Sequence, residues 1–265
     1  YIERALRSIL EQETKFSLEV IVMAGGSTDG SLEILSRIAI ESQGRLHWYS
    51  EADRGPAHAV NKAMAKARGE VIGCLNADDL YTPGAIERAV KAMLKNPEWC
   101  MLYGQGEHID ACDISIGDYP TRPPNTPLQA FADGCFICQP TVFLRRQLLS
   151  SFDGLDESLK TTFDLELWLR IFQQHPNQIG FIDLVQAKSR LHLACITQSQ
   201  RETVIREGMQ VVAKYLGYCP IHWVRTYIDE IFADYPHGQK IEDIKEYLHE
   251  FIDSVSIYLS ADGLE

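Results

Sequence analysis

The stretch LNADDLYTPG, residues 75–84, sets two carboxylates side by side, Asp78 and Asp79. They stand just after the apolar run ARGEVIGCL and just before a proline-started helix. Open α/β sheets bind ligands in the crevice outside the carboxyl ends of their strands, so acids at that point face a ligand. Adjacent acids repel unless a cation lies between them and a bound anion. The chemistry expected is therefore a divalent metal holding a diphosphate. The plainer alternative is that both acids cap the following helix. Thr82 ahead of Pro83, however, already offers a good helix start.

Three more segments carry groups of a similar kind. VIVMAGGSTDGS, residues 20–31, runs from a strand through a glycine-rich turn into a helix. It is not the dinucleotide fingerprint G-x-G-x-x-G, which disfavours a nicotinamide enzyme. Gly25 and Ser27 lie in that turn, where a ligand can approach the backbone and a helix N-terminus favours an anion. Asp29 is either a ligand contact or the cap of that helix. DRGPAHAVNKAM, residues 53–64, puts Arg54 in a turn and Asn61 and Lys62 on a helix. A cation there suits a phosphate; otherwise Arg54 is a solvated loop residue. In TTFDLELWLR, residues 161–170, Asp164 stands at a helix start against Leu165, Leu167 and Trp168. A carboxylate so placed can act as a general base, or it can simply answer the helix dipole.

The elements that must position these groups follow from apolar periodicity. Residues 18–23 and 71–75 read as buried strands, and residues 46–48 as a short one. A helix after Ser27 buries Leu32, Leu35 and Ile38; one over residues 57–67 aligns Val60, Met64 and Ala67. Residues 85–95 form a helix with Ile86, Ala89, Val90, Met93 and Leu94 inward. This alternation specifies a mostly parallel sheet flanked by helices. Beyond Trp99 come short strands around Met101 and Ile109, then the irregular TRPPNTP loop, a strand-like QPTVF and a helix over residues 162–172. From Ser199 onward the pattern is helical only. Its last helix, residues 240–258, carries Ile241, Ile244, Leu248, Phe251, Val255 and Tyr258 as one stripe. That stripe packs on the parent domain, or else builds a homodimer or meets a membrane surface.

The 265 residues, 45% of them apolar, suit one domain with a small appendage. A net charge of −12 argues against broad binding to nucleic acid or an anionic bilayer. No run reaches the length of a transmembrane helix, and no signal peptide is visible. Seven scattered cysteines suit a reducing compartment. Cys135 and Cys138 lack a second pair and read as packing residues. The chain opens at Tyr1 directly on a helical pattern, so residues ahead of it are expected.

Taken in order, VIVMAGGSTDGS, DRGPAHAVNKAM, ARGEVIGCLNADDLYTPG, CQPTVFLRR and FDLELWLR resemble an inverting glycosyltransferase of family 2, of the type found in bacterial polysaccharide biosynthesis. The resemblance spans residues 1–201. It implies the α/β GT-A fold, a nucleotide-sugar donor (usually a UDP-sugar), Mn²⁺ or Mg²⁺, and a glycan or lipid-linked glycan acceptor. Asn76, Ala77 and Asp78 match the family's D-x-D-like motif, with Asp78 on the metal. His192, in KSRLH, falls near the family's histidine at the metal or diphosphate, and Asp164 falls on the catalytic base. Gly25, Ser27, Asp29, Arg54 and Asn61 fall on the donor side. Gln139, Pro140 and Arg170 shape the acceptor side or the surroundings of the base. The resemblance further implies a catalytic domain over residues 1–198, a helical extension over residues 199–265, and a cytoplasmic enzyme, soluble or peripheral at the inner membrane.

Two departures stand out. The family's first strand would lie just ahead of Tyr1, and Ala24 replaces an Asp that contacts the donor's base. A methyl group cannot accept a hydrogen bond from a uracil N–H. A non-catalytic scaffold of the same fold is therefore the rival expectation. A nucleotidyltransferase is disfavoured, because its Gly-, Arg- and Lys-bearing signature is not seen.

Overall fold

The computed structural model describes residues 1–233 and 241–259. Helix α1 (Ile2–Leu10) leads to β1 (Val20–Met23), α2 (Ser31–Glu41), β2 (Leu46–Tyr49), α3 (Pro56–Lys66) and β3 (Val71–Gly73). After the acidic turn come β4 (Leu80–Tyr81), α4 (Ala85–Lys95), β5 (Met101–Ile109), β6 (Ser115–Asp118), β7 (Phe143–Arg145) and α5 (Arg146–Ser151). Then follow α6 (Phe163–Gln174), β8 (Ile179–Arg190), α7 (Ile196–Ser199), α8 (Arg201–Leu216), α9 (His222–Ala233) and α10 (Ile241–Val255).

The α/β class stands as expected, but the pairing is mixed rather than mostly parallel. The β1–β2 pair and the long β5–β8 ladder are parallel. The β3–β7, β5–β7, β5–β6 and β4–β8 pairs are antiparallel. Strand β6 returns from β5 through a tight turn, and only antiparallel strands can be joined that way. The residues around Met101 and Ile109 belong to one strand of nine residues, not two short ones. QPTVF divides into a 3₁₀ turn (Gln139–Thr141) and the start of β7. On α4, Ile86, Ala89 and Met93 are buried, whereas Leu94 is 57% exposed. Met93 takes the inward place, and a helix turns the next residue away by about 100°.

The largest core joins α6, α8 and α10. Leu167 and Leu169 pack in one cluster with Ile205, Met209, Val212, Phe251 and Val255. The C-terminal helices thus share the core of the rest of the chain. Of the stripe on the last helix, Phe251 and Val255 are buried in this cluster, Tyr258 packs against it, and Ile244 is buried. Lys240 lies outside the described residues. No described helix is long and apolar enough to cross a membrane.

The described strands form two sheets, a two-stranded one of β1 and β2 and a six-stranded one in the order β3-β7-β5-β8-β4 with β6 on β5. Strand β1 pairs with β2 and β3 pairs with β7, but β1 and β3 are not hydrogen-bonded to each other. Between them lies a cavity of about 660 Å³, walled by Leu6 of α1, Val22 of β1, Val60 and Met64 of α3, and Ile72 of β3. Phe251→Ala is expected to lower stability by about 3–5 kcal/mol, the usual cost of emptying a buried phenylalanine site. Leu94→Ala should stay within about 0.5 kcal/mol. Urea unfolding of both variants checks the two placements.

Candidate active site

The acidic turn follows β3 and is closed by the Asp79 amide donating to the Asn76 carbonyl at 3.2 Å. Its two carboxylates take different roles. Asp79 is 2% exposed and accepts the Arg190 amide at 2.8 Å and the Asn76 side-chain amide at 2.9 Å. Burial pushes its carboxyl up to about 7, against the opposing pull of the Arg190 amide. Asp78 is only half-buried, and its Oδ2 lies 3.0 Å from His192 Nε2. Neither acid caps α4, because β4 intervenes. The expected Thr82 start is also not used. Its hydroxyl donates to the Val185 and Gln186 carbonyls of β8, and α4 begins after Gly84, whose φ of +75° favours glycine.

Arg190, at the end of β8, was not singled out from the sequence, though it precedes His192 in KSRLH. It is 2% exposed. Its Nε donates to the Asp78 carbonyl at 2.7 Å and its Nη1 to the Asp110 carbonyl at 2.5 Å. The guanidinium also pairs with Asp113 and lies 4.6 Å from the Tyr1 ring centroid. The His192 ring stands 4.9 Å from the same tyrosine ring. The end of β8 therefore holds both the backbone of Asp78 and its imidazole partner.

Among the described residues no group of three or more His, Cys, Asp and Glu side chains could hold a metal. The chain offers two donors, Asp78 Oδ2 and His192 Nε2. An octahedral cation binds at about 2.0–2.1 Å, which puts neighbouring ligands about 3.0 Å apart. That matches the observed 3.0 Å separation. A small divalent cation keeping water and phosphate oxygens as its other ligands fits this donor set. His192 Nδ1 accepts the Ala194 amide at 3.3 Å, so Nε2 carries the ring proton donated to Asp78. Ligation through Nε2 requires that proton to leave.

Asp164 is the second residue of α6, after the N-cap Thr162. Its carboxyl accepts the Leu165 amide at 2.8 Å. It lines a cavity of about 30 Å³ with Cys74, Gln139, Phe163 and Trp168. Burial raises it to about 6, the Leu165 and Asp164 amides pulling the other way. Gln139 connects this pocket to the acidic turn: Nε2 donates to the Cys74 carbonyl at 2.9 Å, and Oε1 accepts Asn76 Nδ2 at 3.1 Å. The larger cavity reaches Asn76 and Ala77 and shares Cys74 and Ile72 with the smaller one. Neither cavity is lined by both Asp78 and Asp164.

The residues expected on the donor side are placed less openly than their types suggest. Gly25, with φ +53°, backs onto Asp53; a Cβ there would lie 2.8 Å from Asp53 Oδ2. The Ser27 hydroxyl donates to the Ala24 carbonyl at 2.6 Å, and Asp29 accepts the Ser31 amide at 3.2 Å, serving the start of α2. Arg54 is exposed and pairs with Glu157. Asn61 donates to the Leu155 carbonyl at 2.9 Å and to Glu157 at 3.0 Å, and accepts the Leu155 amide at 2.8 Å. Arg170 donates to the Phe152 and Gly154 carbonyls and to Glu166. Asn61 and Arg170 thus restrain the loop ahead of α6. All seven cysteines are free, and burial pushes the Cys135 thiol up to about 12, as expected of a packing residue. Arg190→Met strips the Asp78 carbonyl of its charged donor. A loss of about 1.5–3 kcal/mol is expected in denaturant unfolding.

Residues 1–150 match the family model of Glycosyl transferase family 2. The chain is 28% identical over 204 residues to an uncharacterized glycosyltransferase of Rickettsia conorii, covering 72% of this chain and 32% of that protein. It is 34% identical over 185 residues to the chondroitin synthase of Pasteurella multocida, covering 68% of this chain and 19% of that enzyme. The chain therefore spans a third or less of these relatives. TarS 1–349 of S. aureus in complex with UDP-GlcNAc superposes with a TM-score of 0.64 at 18% identity, covering 96% and 78% of the two chains. The mannosyltransferase PcManGT from Pyrobaculum calidifontis, in complex with GDP-Man and Mn²⁺, gives 0.56 at 18% identity, covering 96% and 69%. These two likenesses show the GT-A fold. By the match over residues 1–150, the chain belongs to glycosyl transferase family 2.

Proposed function

We propose that this chain transfers a sugar from a nucleotide-sugar donor, with UDP-sugars first among candidates, to a hydroxyl of a glycan or lipid-linked glycan, inverting the anomeric carbon. The observation that carries this reading is the Asp78–His192 pair, 3.0 Å apart. Its turn is tied through Asn76 and Gln139 to the pocket of Asp164. With its carboxyl near 6, Asp164 is mostly ionised at pH 7 yet remains a competent base. It takes the proton from the acceptor hydroxyl, whose oxygen attacks the anomeric carbon as the nucleoside diphosphate departs. Mn²⁺ or Mg²⁺ on Asp78 and His192 would neutralise charge growing on that leaving group. Asn76 and Ala77 border the donor. Arg54 reaches a phosphate only by giving up Glu157, an exposed pair that solvent already weakens.

Relatives support the substrate class. One is a chondroitin synthase, and solved neighbours were captured with UDP-GlcNAc and with GDP-Man and Mn²⁺. Residues 1–198 are the catalytic unit in this reading and residues 199–265 its extension. The cavity between β1 and β3 suits one more extended apolar segment, where the resemblance assigns a strand. The free thiols suit a cytoplasmic setting. A non-catalytic scaffold is the second reading. It is favoured by the Ala24 methyl and by the Asn61 side chain being taken up in the loop.

Nucleoside diphosphate release from UDP-GlcNAc and GDP-Man, with and without Mn²⁺, separates the two; a scaffold binds without releasing. Asp164→Asn is expected to lower turnover by about 10²–10⁴-fold while donor binding persists. Because the base must be ionised, kcat should fall as the pH drops through about 6, and this limb should vanish in the Asn variant. Asp78→Ala should abolish the Mn²⁺-dependent part of nucleotide binding in calorimetry. Unchanged binding would remove Asp78 from the metal site.

A further inference from the structure

A carboxylate on α8 caps the helix that carries Asp164. Thr162, the N-cap of α6, makes no capping bond with its own side chain. Glu207 supplies one from outside. Its Oε1 accepts the Lys160 amide at 2.8 Å. Its Oε2 accepts the Thr161 amide at 2.8 Å, the Thr161 hydroxyl at 2.7 Å, and the Thr162 amide at 3.2 Å. The Thr162 hydroxyl adds a longer contact at 3.4 Å. Helix N-termini leave their first amides without partners, and an anion there is favoured both by hydrogen bonding and by the dipole.

The two helices are locked in the opposite direction as well. Glu166, one turn into α6 and 3% exposed, accepts Tyr215 Oη at 2.5 Å and Lys214 Nζ at 3.3 Å, both from the last turn of α8. Each helix therefore places a carboxylate on the other, over a shared apolar core. Asp164 sits between the two locks, two residues after Thr162 and two before Glu166. Its own carboxyl is held by backbone amides at the helix start, that of Leu165 at 2.8 Å. The direction of that carboxyl is consequently set by the backbone of residues 160–166.

We propose that Glu207 is a positioning residue for the base: by capping α6 from α8, it fixes the backbone that aims Asp164. This rests on the reading of Asp164 as the general base. It also makes the helical extension, which lies beyond the family match, part of the catalytic apparatus. Misplacing a reacting group by about 1 Å can cost on the order of 10²-fold in rate without weakening substrate binding.

Glu207→Gln tests this with little change in volume. Its amide nitrogen replaces one acceptor facing a row of N–H and O–H donors. With UDP-GlcNAc as donor, water as acceptor and Mn²⁺ present, kcat is expected to fall at least tenfold, with KM within twofold. Hydrogen exchange should rise at residues 160–166 and stay level in β5 and β8. Asp164→Asn/Glu207→Gln should be no slower than Asp164→Asn alone, because the effect runs through that one carboxyl. Full kcat in folded Glu207→Gln, unchanged exchange at residues 160–166, or losses that multiply in the double variant would each overturn the proposal. Should Glu207→Gln not fold, Glu207→Asp is measured by the same exchange experiment, and no local rise would overturn it equally. Full turnover by Asp164→Asn would instead sink the base assignment, and with it the catalytic role of Glu207, while a local rise in exchange would still register the cap.

Discussion

A buried carboxylate must find hydrogen-bond donors or give up its charge, and Asp79 governs the head of the sheet through that requirement. It is satisfied by the Arg190 amide and the Asn76 side chain, which draws the end of β8 onto the turn after β3. The Arg190 guanidinium then grips the Asp78 carbonyl, and His192 follows two residues later. With Asp79 occupied internally, the neighbouring Asp78 carboxylate is the one left half-exposed. The pair of acids thus divides into a buried anchor and a half-buried carboxylate beside His192.

The second half of the site is held by different forces. Helix α6 shares one apolar core with α8 and with strand residues such as Met101, Tyr103 and Leu144, and the carboxylates of Glu207 and Glu166 tie its start to α8. Gln139 is the direct polar link between the halves. It spans from the Cys74 carbonyl to Asn76 and forms part of the wall around Asp164.

Arg54 and Asn61 show how residue type can suggest more than placement delivers. Both have the chemistry for a phosphate, yet both contact the loop ahead of α6. Recruiting Arg54 breaks only a solvent-exposed ion pair, which water screens. Recruiting Asn61 breaks three hydrogen bonds, two of them to the backbone of Leu155, and leaves that backbone unpaired. The arginine is the movable one of the two, and the asparagine is a strut.

The chain's local chemistry was legible without coordinates. Periodicity marked α2, α3, α4 and α6 closely, the proline-rich loop broke regular structure, and the order of motifs carried the family. Helix periodicity and turn chemistry depend on contacts within a few residues, which sequence spacing encodes. Pairing direction was not legible, because β5, β7 and β8 meet across long separations and only tertiary packing chooses the partner. Nor was the split between Asp78 and Asp79, identical in type and adjacent, distinguished only by which side chain the end of β8 buries. Arg190 and Glu207 were missed for the same reason. Each acts on an element far away in sequence, and a lone charged residue in a strand or helix looks like any solvated one until the fold places it.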